Sequence, residues 1–166
     1  YQKVKNTNVI FRVLANTYYW IKNPTFSIED RNLGFYSEIQ TKLANYIRGK
    51  FITWLSNIKN WNFIKNNFKS INIAKGYVGL DNYIDMISNK NYKSDFKIEL
   101  LLFNIIFKIN VYLFNNSNKP KLIVENAKIK NYSSNSIEKN SAIIKYNSPN
   151  IDNKFTNLFA VYQSNI

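Results

Sequence analysis

The sequence predicts a layered domain of the α+β or α/β class, with a small central sheet packed by helices, and three observations predict it. Long apolar stretches at helical spacing fill most of the chain up to residue 107. Short β-branched and aromatic runs of period two follow. Residues 99–114 pass directly from a buried helical pattern into strict alternation, so a helix feeds a strand. With 166 residues, 45% hydrophobic and 16% aromatic, the chain is long enough for one domain with a core and too apolar for disorder. No repeat or linker divides it, so one domain over residues 1–166 is expected.

Residues 9–21 (VIFRVLANTYYWI) are almost continuously apolar, and Asn23-Pro24 follows them. Length and stop signal predict a largely buried helix closed by a turn. Ser27-Ile28-Glu29-Asp30 has the pattern of a second helix start. From Tyr36 to about Phe68, Ile39, Leu43, Ile47, Trp54, Leu55, Ile58 and Trp61 fall mostly at helical spacing. Gly49 interrupts that pattern, which leaves one bent helix or two successive ones. Trp54 and Trp61, seven apart, should share a face, as core or interface rather than as a base-stacking platform. Residues 65–75 are polar and loop-like, ending at Gly76. Residues 80–88 (LDNYIDMIS) read as a short helix with Asp81 as cap and Tyr83, Ile84 and Ile87 as its apolar positions. Residues 99–107 (ELLLFNIIF) predict a strongly buried helix, and the alternation of Ile109, Val111 and Leu113 predicts a strand over 108–114. Residues 121–125, 142–146 and 158–162 are three more strands by the same pattern.

Much chemistry is excluded by what the chain lacks. Without cysteine there is no disulfide, no thiolate zinc site and no thiol nucleophile, and without histidine no imidazole base or ligand. Glycines at 34, 49, 76 and 79 cannot form a phosphate loop. Asp81 with Asp85, and Asp95 with Glu99, sit one turn apart but read as a cap and a solvated face, so no metal site and no cofactor is expected. Ser27, Ser37 and Ser56 have neither a G-x-S-x-G nor an S-x-x-K context, and Ser37 and Ser56 read as surface positions within the helical stretch. Asn115-Asn116-Ser117 and Asn131-Tyr132-Ser133 match the glycosylation pattern, as chance allows in so Asn-rich a chain.

The 23 basic and 10 acidic residues leave a formal charge of +13, a field that attracts nucleic acid, an anionic membrane or an acidic protein. The lysines are spread along the chain, however, and arginine occurs only at 12, 31 and 48. A generally basic surface is therefore expected rather than a dedicated base reader. No apolar stretch approaches the length of a membrane span. The chain opens on Tyr1 with no signal-like segment, which suggests a processed product or a piece of something larger. Cytoplasm, or a large intracellular or viral assembly, is expected ahead of secretion.

Three stretches carry a resemblance. Asn6-Thr7-Asn8-Val9-Ile10-Phe11-Arg12 leads into the first helix, Ile98-Glu99-Leu100 runs through to Ile109-Asn110-Val111, and Lys154-Phe155-Thr156-Asn157-Leu158 lies near the end. Together they resemble the ovarian-tumour (OTU) family of cysteine deubiquitinases. That family has D-G-x-C-L-F-R before a buried helix, an E-L segment leading to an I-x-V strand, and H-Y-x-x-L near its end. Residues 36–47 are similar in hydrophobicity to the family helix that follows an L-R-x-x-V pattern. The resemblance covers nearly the whole chain and implies an OTU-like, papain-related layered fold.

The family's chemistry does not carry over. Val9 stands at the cysteine, Lys154 at the general-base histidine, Thr156 at the residue that orients it, Asn6 at the first Asp and Thr7 at the oxyanion-loop Gly. Valine has no lone pair to attack a carbonyl, and an ordinary lysine is protonated at neutral pH. The resemblance thus implies a catalytically inactive member that serves as a protein-interaction or structural module. Its expected partners are proteins, acidic or within a larger assembly. A ubiquitin-like protein, RNA and an anionic membrane are the other partners considered. Val9 is expected to lie buried within a few ångströms of residues 154–157.

Overall fold

The computed structural model describes residues 9–31, 33, 34, 37–67, 80–88, 97–115, 120–130, 141–146 and 158–162. Helices α1 (Val9–Lys22), α2 (Ile28–Arg31), α3 (Glu38–Leu55), α4 (Ile58–Asn67), α5 (Leu80–Ser88) and α6 (Lys97–Phe107) come first. Strands β1 (Asn110–Asn115), β2 (Pro120–Glu125), β3 (Lys128–Lys130), β4 (Ser141–Tyr146) and β5 (Leu158–Tyr162) follow. They form one sheet in the order β3-β2-β1-β4-β5. Within it β1 and β4 are parallel, and every other neighbouring pair is antiparallel. Helix α1 packs against α3 and β5, while α6 packs against α3, β1 and β2. The architecture is the expected one, a small mixed sheet packed by helices.

The sequence of α1 explains its place. Ile10, Phe11, Val13, Leu14 and Ala15 are apolar round most of the helix, and all five are buried. Its last carbonyls are closed by side chains. Asn23 Nδ2 donates to the Tyr19 carbonyl at 2.8 Å, and Arg31 Nε and Nη2 donate to that of Trp20 while the guanidinium lies 4.1 Å from the indole centroid. The predicted second helix is the single turn α2, where Ser27 Oγ accepts from the Asp30 amide.

Two helices do occupy the next stretch, but they part at Ser56-Asn57 and not at Gly49. Gly49 lies within α3, where glycine costs about 1 kcal/mol relative to alanine, and burial of Ile47 and Phe51 on either side outweighs it. The break is made by polar side chains. Ser56 Oγ donates back to the Ile52 carbonyl, Asn60 Nδ2 to that of Trp54, and Asn57 Oδ1 accepts from the Lys59 amide. Ser37 caps the start of α3 by accepting from the Gln40 amide and Ser56 stands at its C-cap, so the two lie at the helix ends and not inside a helix, with Ser56 on the surface as expected. Trp54 and Trp61 consequently sit on different helices, Trp61 buried and Trp54 partly buried against the core. Lys65 belongs to α4, while residues 68–79, with most of the expected loop and Gly76, lie outside the described residues.

The phase of α3 also differs from the expected one. Its buried stripe is Gln40, Ala44, Ile47, Phe51 and Leu55, whereas Ile39 is 50% exposed. In α5 the helix already begins at Leu80, which puts Asp81 in the first turn near the positive end of the helix dipole and not at the cap. Tyr83 and Ile87 are buried as expected. Asp81 and Asp85 are exposed, but Glu99 is wholly buried on α6, so a solvated face is the wrong reading of that residue. Asp95 lies outside the described residues.

At the junction of α6 and β1 one side chain joins three elements. Lys108 takes φ 58° and its amide donates to the Asn104 carbonyl, ending the helix. Buried Asn104 donates from Nδ2 to the Ile109 carbonyl at 3.0 Å and to Asn110 Oδ1 at 3.1 Å, and its Oδ1 accepts from the Ala127 amide at 2.8 Å. Asn126 and Ala127 have φ of 49° and 60° and form a two-residue turn that pairs Glu125 with Lys128. This turn adds β3, a strand the sequence pattern did not signal. Val111 and Leu113 of β1 join Leu122, Val124, Ala142 and Ile144 in the core, and Tyr112 and Ile123, opposite each other in the register, are buried as well. Replacing Asn104 by Ala leaves three backbone or side-chain partners unmet and should cost about 2–3 kcal/mol. Urea unfolding should show this as a lower midpoint at unchanged slope.

Candidate functional site

The seam between α1 and α3 is polar in a mostly apolar setting. Arg12, in the first turn of α1, donates from Nη1 to Gln40 Oε1 at 3.0 Å and to Thr41 Oγ1 at 3.2 Å. Gln40 Nε2 donates in turn to Asn16 Oδ1 at 2.8 Å, one helical turn further along α1. Gln40 is 0% exposed, which a buried amide tolerates because its groups are paired here. Ser37-Glu38-Ile39-Gln40 has the spelling of a capping box, but this amide reaches across to α1. Beside the seam, the Arg48 guanidinium lies 4.7 Å from the Phe11 ring centroid and donates to Asn45 Oδ1 at 2.7 Å. Burial, and after it the positive charge of Arg12, lowers the pKa of Arg48 from the usual guanidinium value.

Of the four residues the sequence marked as vestigial, Val9 is the first residue of α1 and its side chain is outside the described set. Asn6, Lys154 and Thr156 lie outside the described residues altogether, as does the expected approach of Val9 to residues 154–157. What the structure brings together is the two elements concerned, since α1 packs along β5 and β5 begins at Leu158. Of the seam residues, Arg12 closes the first motif quoted above, while Asn16, Gln40 and Thr41 carried none. A signal was present, because Gln40 is in phase with Ala44, Ile47, Phe51 and Leu55, and a polar residue in an apolar stripe needs a partner. The groups of this seam position one another through hydrogen bonds and offer no general base. Among the described residues no cluster of three metal-ligating side chains occurs, and no helix is long and apolar enough to cross a membrane.

Toward the other end of α1 the residues are aromatic. Tyr18 meets Phe107 at 5.4 Å between ring centroids and Tyr46 at 6.3 Å, and Tyr46 meets Phe107 at 6.3 Å. Burial, and secondarily the phenol of Tyr46, raises the pKa of Tyr18 above its ordinary value of 10.0.

No family model matches the chain. An uncharacterized protein of Acanthamoeba polyphaga mimivirus is 31% identical over 111 residues, 66% of this chain and 7% of that protein. The chain therefore spans only a small part of its relative's length. The solved structure of the Hazara virus OTU bound to ubiquitin is similar with a TM-score of 0.41 and 13% identity, over 91% of this chain and 79% of that one.

Two outcomes are expected from this geometry. Gln40→Leu keeps the volume but removes the amide's hydrogen bonds with Arg12 and Asn16, and should lower stability by about 2 kcal/mol in urea unfolding. Because Tyr18 holds its proton more tightly folded than unfolded, its contribution to stability is complete below pH 10.0 and is lost as the pH rises through the raised value. The urea midpoint should therefore fall above that pH, and Tyr18→Phe should remove part of the fall.

Proposed function

We propose that this chain is an OTU-like domain without catalysis, one folded unit over residues 1–166 that works by holding a protein partner. The observation that carries this reading is the state of the first helix. Ile10 and Phe11, which stand at the Leu-Phe of the family motif, are buried, and Arg12 is tied to α3. The residue ahead of them is Val9, in a sequence with no cysteine and no histidine. The packing a catalytic helix needs is kept, while the thiol and imidazole of the mechanism are missing. Losing one triad member leaves a residual rate, but losing nucleophile and base together removes the covalent route.

What remains is a strongly basic chain of charge +13. Electrostatic complementarity favours an acidic protein, or an acidic patch within a larger assembly, as its partner. Ubiquitin-like proteins are the next class, on the strength of the motif resemblance.

With ubiquitin carrying a C-terminal fluorogenic amide, the chain should release no fluorophore, and Val9→Cys alone should not restore turnover because no imidazole is supplied. Turnover by the unaltered chain would sink the inactive reading. Calorimetric titration with ubiquitin and related modifiers should give a complex if they are the partners, and a flat trace at high micromolar concentration removes them. Cross-linking through the exposed lysines in the native assembly should join the chain to a protein neighbour, and cross-links to nucleic acid alone would overturn the protein-partner reading.

A further inference from the structure

Helix α3 shows the solvent a stripe that its composition does not lead one to expect. Ile39, Leu43, Tyr46 and Lys50 follow one another at helical spacing, Ile39 at 50% exposure and Tyr46 at 45%. Tyr46 belongs to the ring triangle already described, with Tyr18 from α1 and Phe107 from α6. Phe103 stands behind Phe107 at 5.2 Å and is wholly buried, so the triangle is anchored in the core.

Two of the rings have a lysine from their own helix beside them, and the third is followed by one in sequence. Lys22 Nζ lies 5.7 Å from the Tyr18 centroid and Lys50 Nζ 5.5 Å from that of Tyr46, both at i,i+4, and Lys108 follows Phe107 directly. All three lysines are exposed, and among the described residues none of them makes an ion pair. One such pair is ordinary, since lysine stems often cover an aromatic surface. Two such pairs on two helices, with the exposed Lys108 next in sequence to the third ring, combine stacking surfaces with uncompensated cations in a chain of charge +13. That combination suits unpaired bases on a phosphate chain.

The arginines point the same way. Arg12, Arg31 and Arg48 are engaged in the α1–α3 seam, at the end of α1 and over Phe11. Rigid forks for reading base edges are therefore committed to the fold, and what the surface offers is point charges and rings. The phenol hydroxyls of Tyr18 and Tyr46 can both donate and accept, as the ribose 2′-hydroxyl does.

We propose that the face formed by Tyr18, Lys22, Tyr46, Lys50, Phe107 and Lys108 is a docking surface for single-stranded RNA, with bases stacked on the tyrosines and phosphates against the lysines. Tyr18 and Phe107, 89 positions apart in sequence, meet there, which is why the dispersed lysines of the sequence gave no warning of it. The surface is independent of the OTU reading and stands or falls apart from it.

The test is fluorescence anisotropy of the 166-residue chain with a labelled oligouridine about 12 nucleotides long. Binding should weaken with salt, with a log–log slope of about −2 for three phosphate contacts. Tyr46→Ala should weaken binding roughly tenfold and Tyr46→Phe much less. Lys50→Glu should weaken it at least as much as Tyr46→Ala, which keeps the test decisive if the alanine variant fails the circular dichroism check of folding. Lys59→Ala, exposed on α4, should leave binding within about twofold, as expected for one charge outside the footprint. The proposal is overturned by unchanged affinity in Tyr46→Ala and Lys50→Glu, by equal binding to a duplex, or by a preference for the matching deoxy strand. Binding to phosphatidylserine vesicles but not to the oligouridine overturns it as well.

Discussion

Everything else in this structure is arranged around the burial of α1. A helix with Ile10, Phe11, Val13, Leu14 and Ala15 all buried cannot face water on either side, so it needs two covers. It finds one in α3 and the other in β5. The apolar contacts supply the larger share of the stabilisation but are indifferent to small slides along the helix. Arg12, Asn16, Gln40 and Thr41 remove that indifference, because their hydrogen bonds form only in one register. Adhesion and alignment are thus carried by different residues of the same interface.

That division bears on what the chain can do. A catalytic helix and a purely architectural one need the same packing, and they differ in the group placed at the helix start. Here the start is Val9, and the charged residue three positions on is held by α3. The three arginines complete the picture, each lying against an aromatic ring or a hydrogen-bonded seam inside the molecule and leaving lysine as the surface cation.

The sequence was legible where one period dominated. α1, α6 and β1 have patterns strong enough that tertiary context had nothing to override, and their observed bounds lie close to the expected ones. It was misleading where a single residue type outvoted the pattern. Gly49 looked like a break, yet packing on both sides carried α3 through it, and the actual break came from serine and asparagine side chains. The phase of α3 differs from the expected one because the apolar residues alone set the expected stripe, whereas polar Gln40 takes a place in the buried one and Ile39 faces out. Strand β3 escaped notice because three residues are too few for a period, and its turn uses Asn-Ala where glycine is usual. Glu99 was assigned to water because a carboxylate among leucines has no local pattern that announces burial.

The pairing of α1 with β5 joins residues almost the whole described length apart. Closing so long a loop adds little to the equilibrium cost, which grows only with the logarithm of its length. Its consequence is for the order of events during synthesis, because the chain emerges from its first helix onward. Until β5 has left the ribosome, the side of α1 that it covers is without that strand. The most apolar helix near the start of the sequence is then the one that waits longest for its cover, and that interval is when the growing chain has most need of a chaperone.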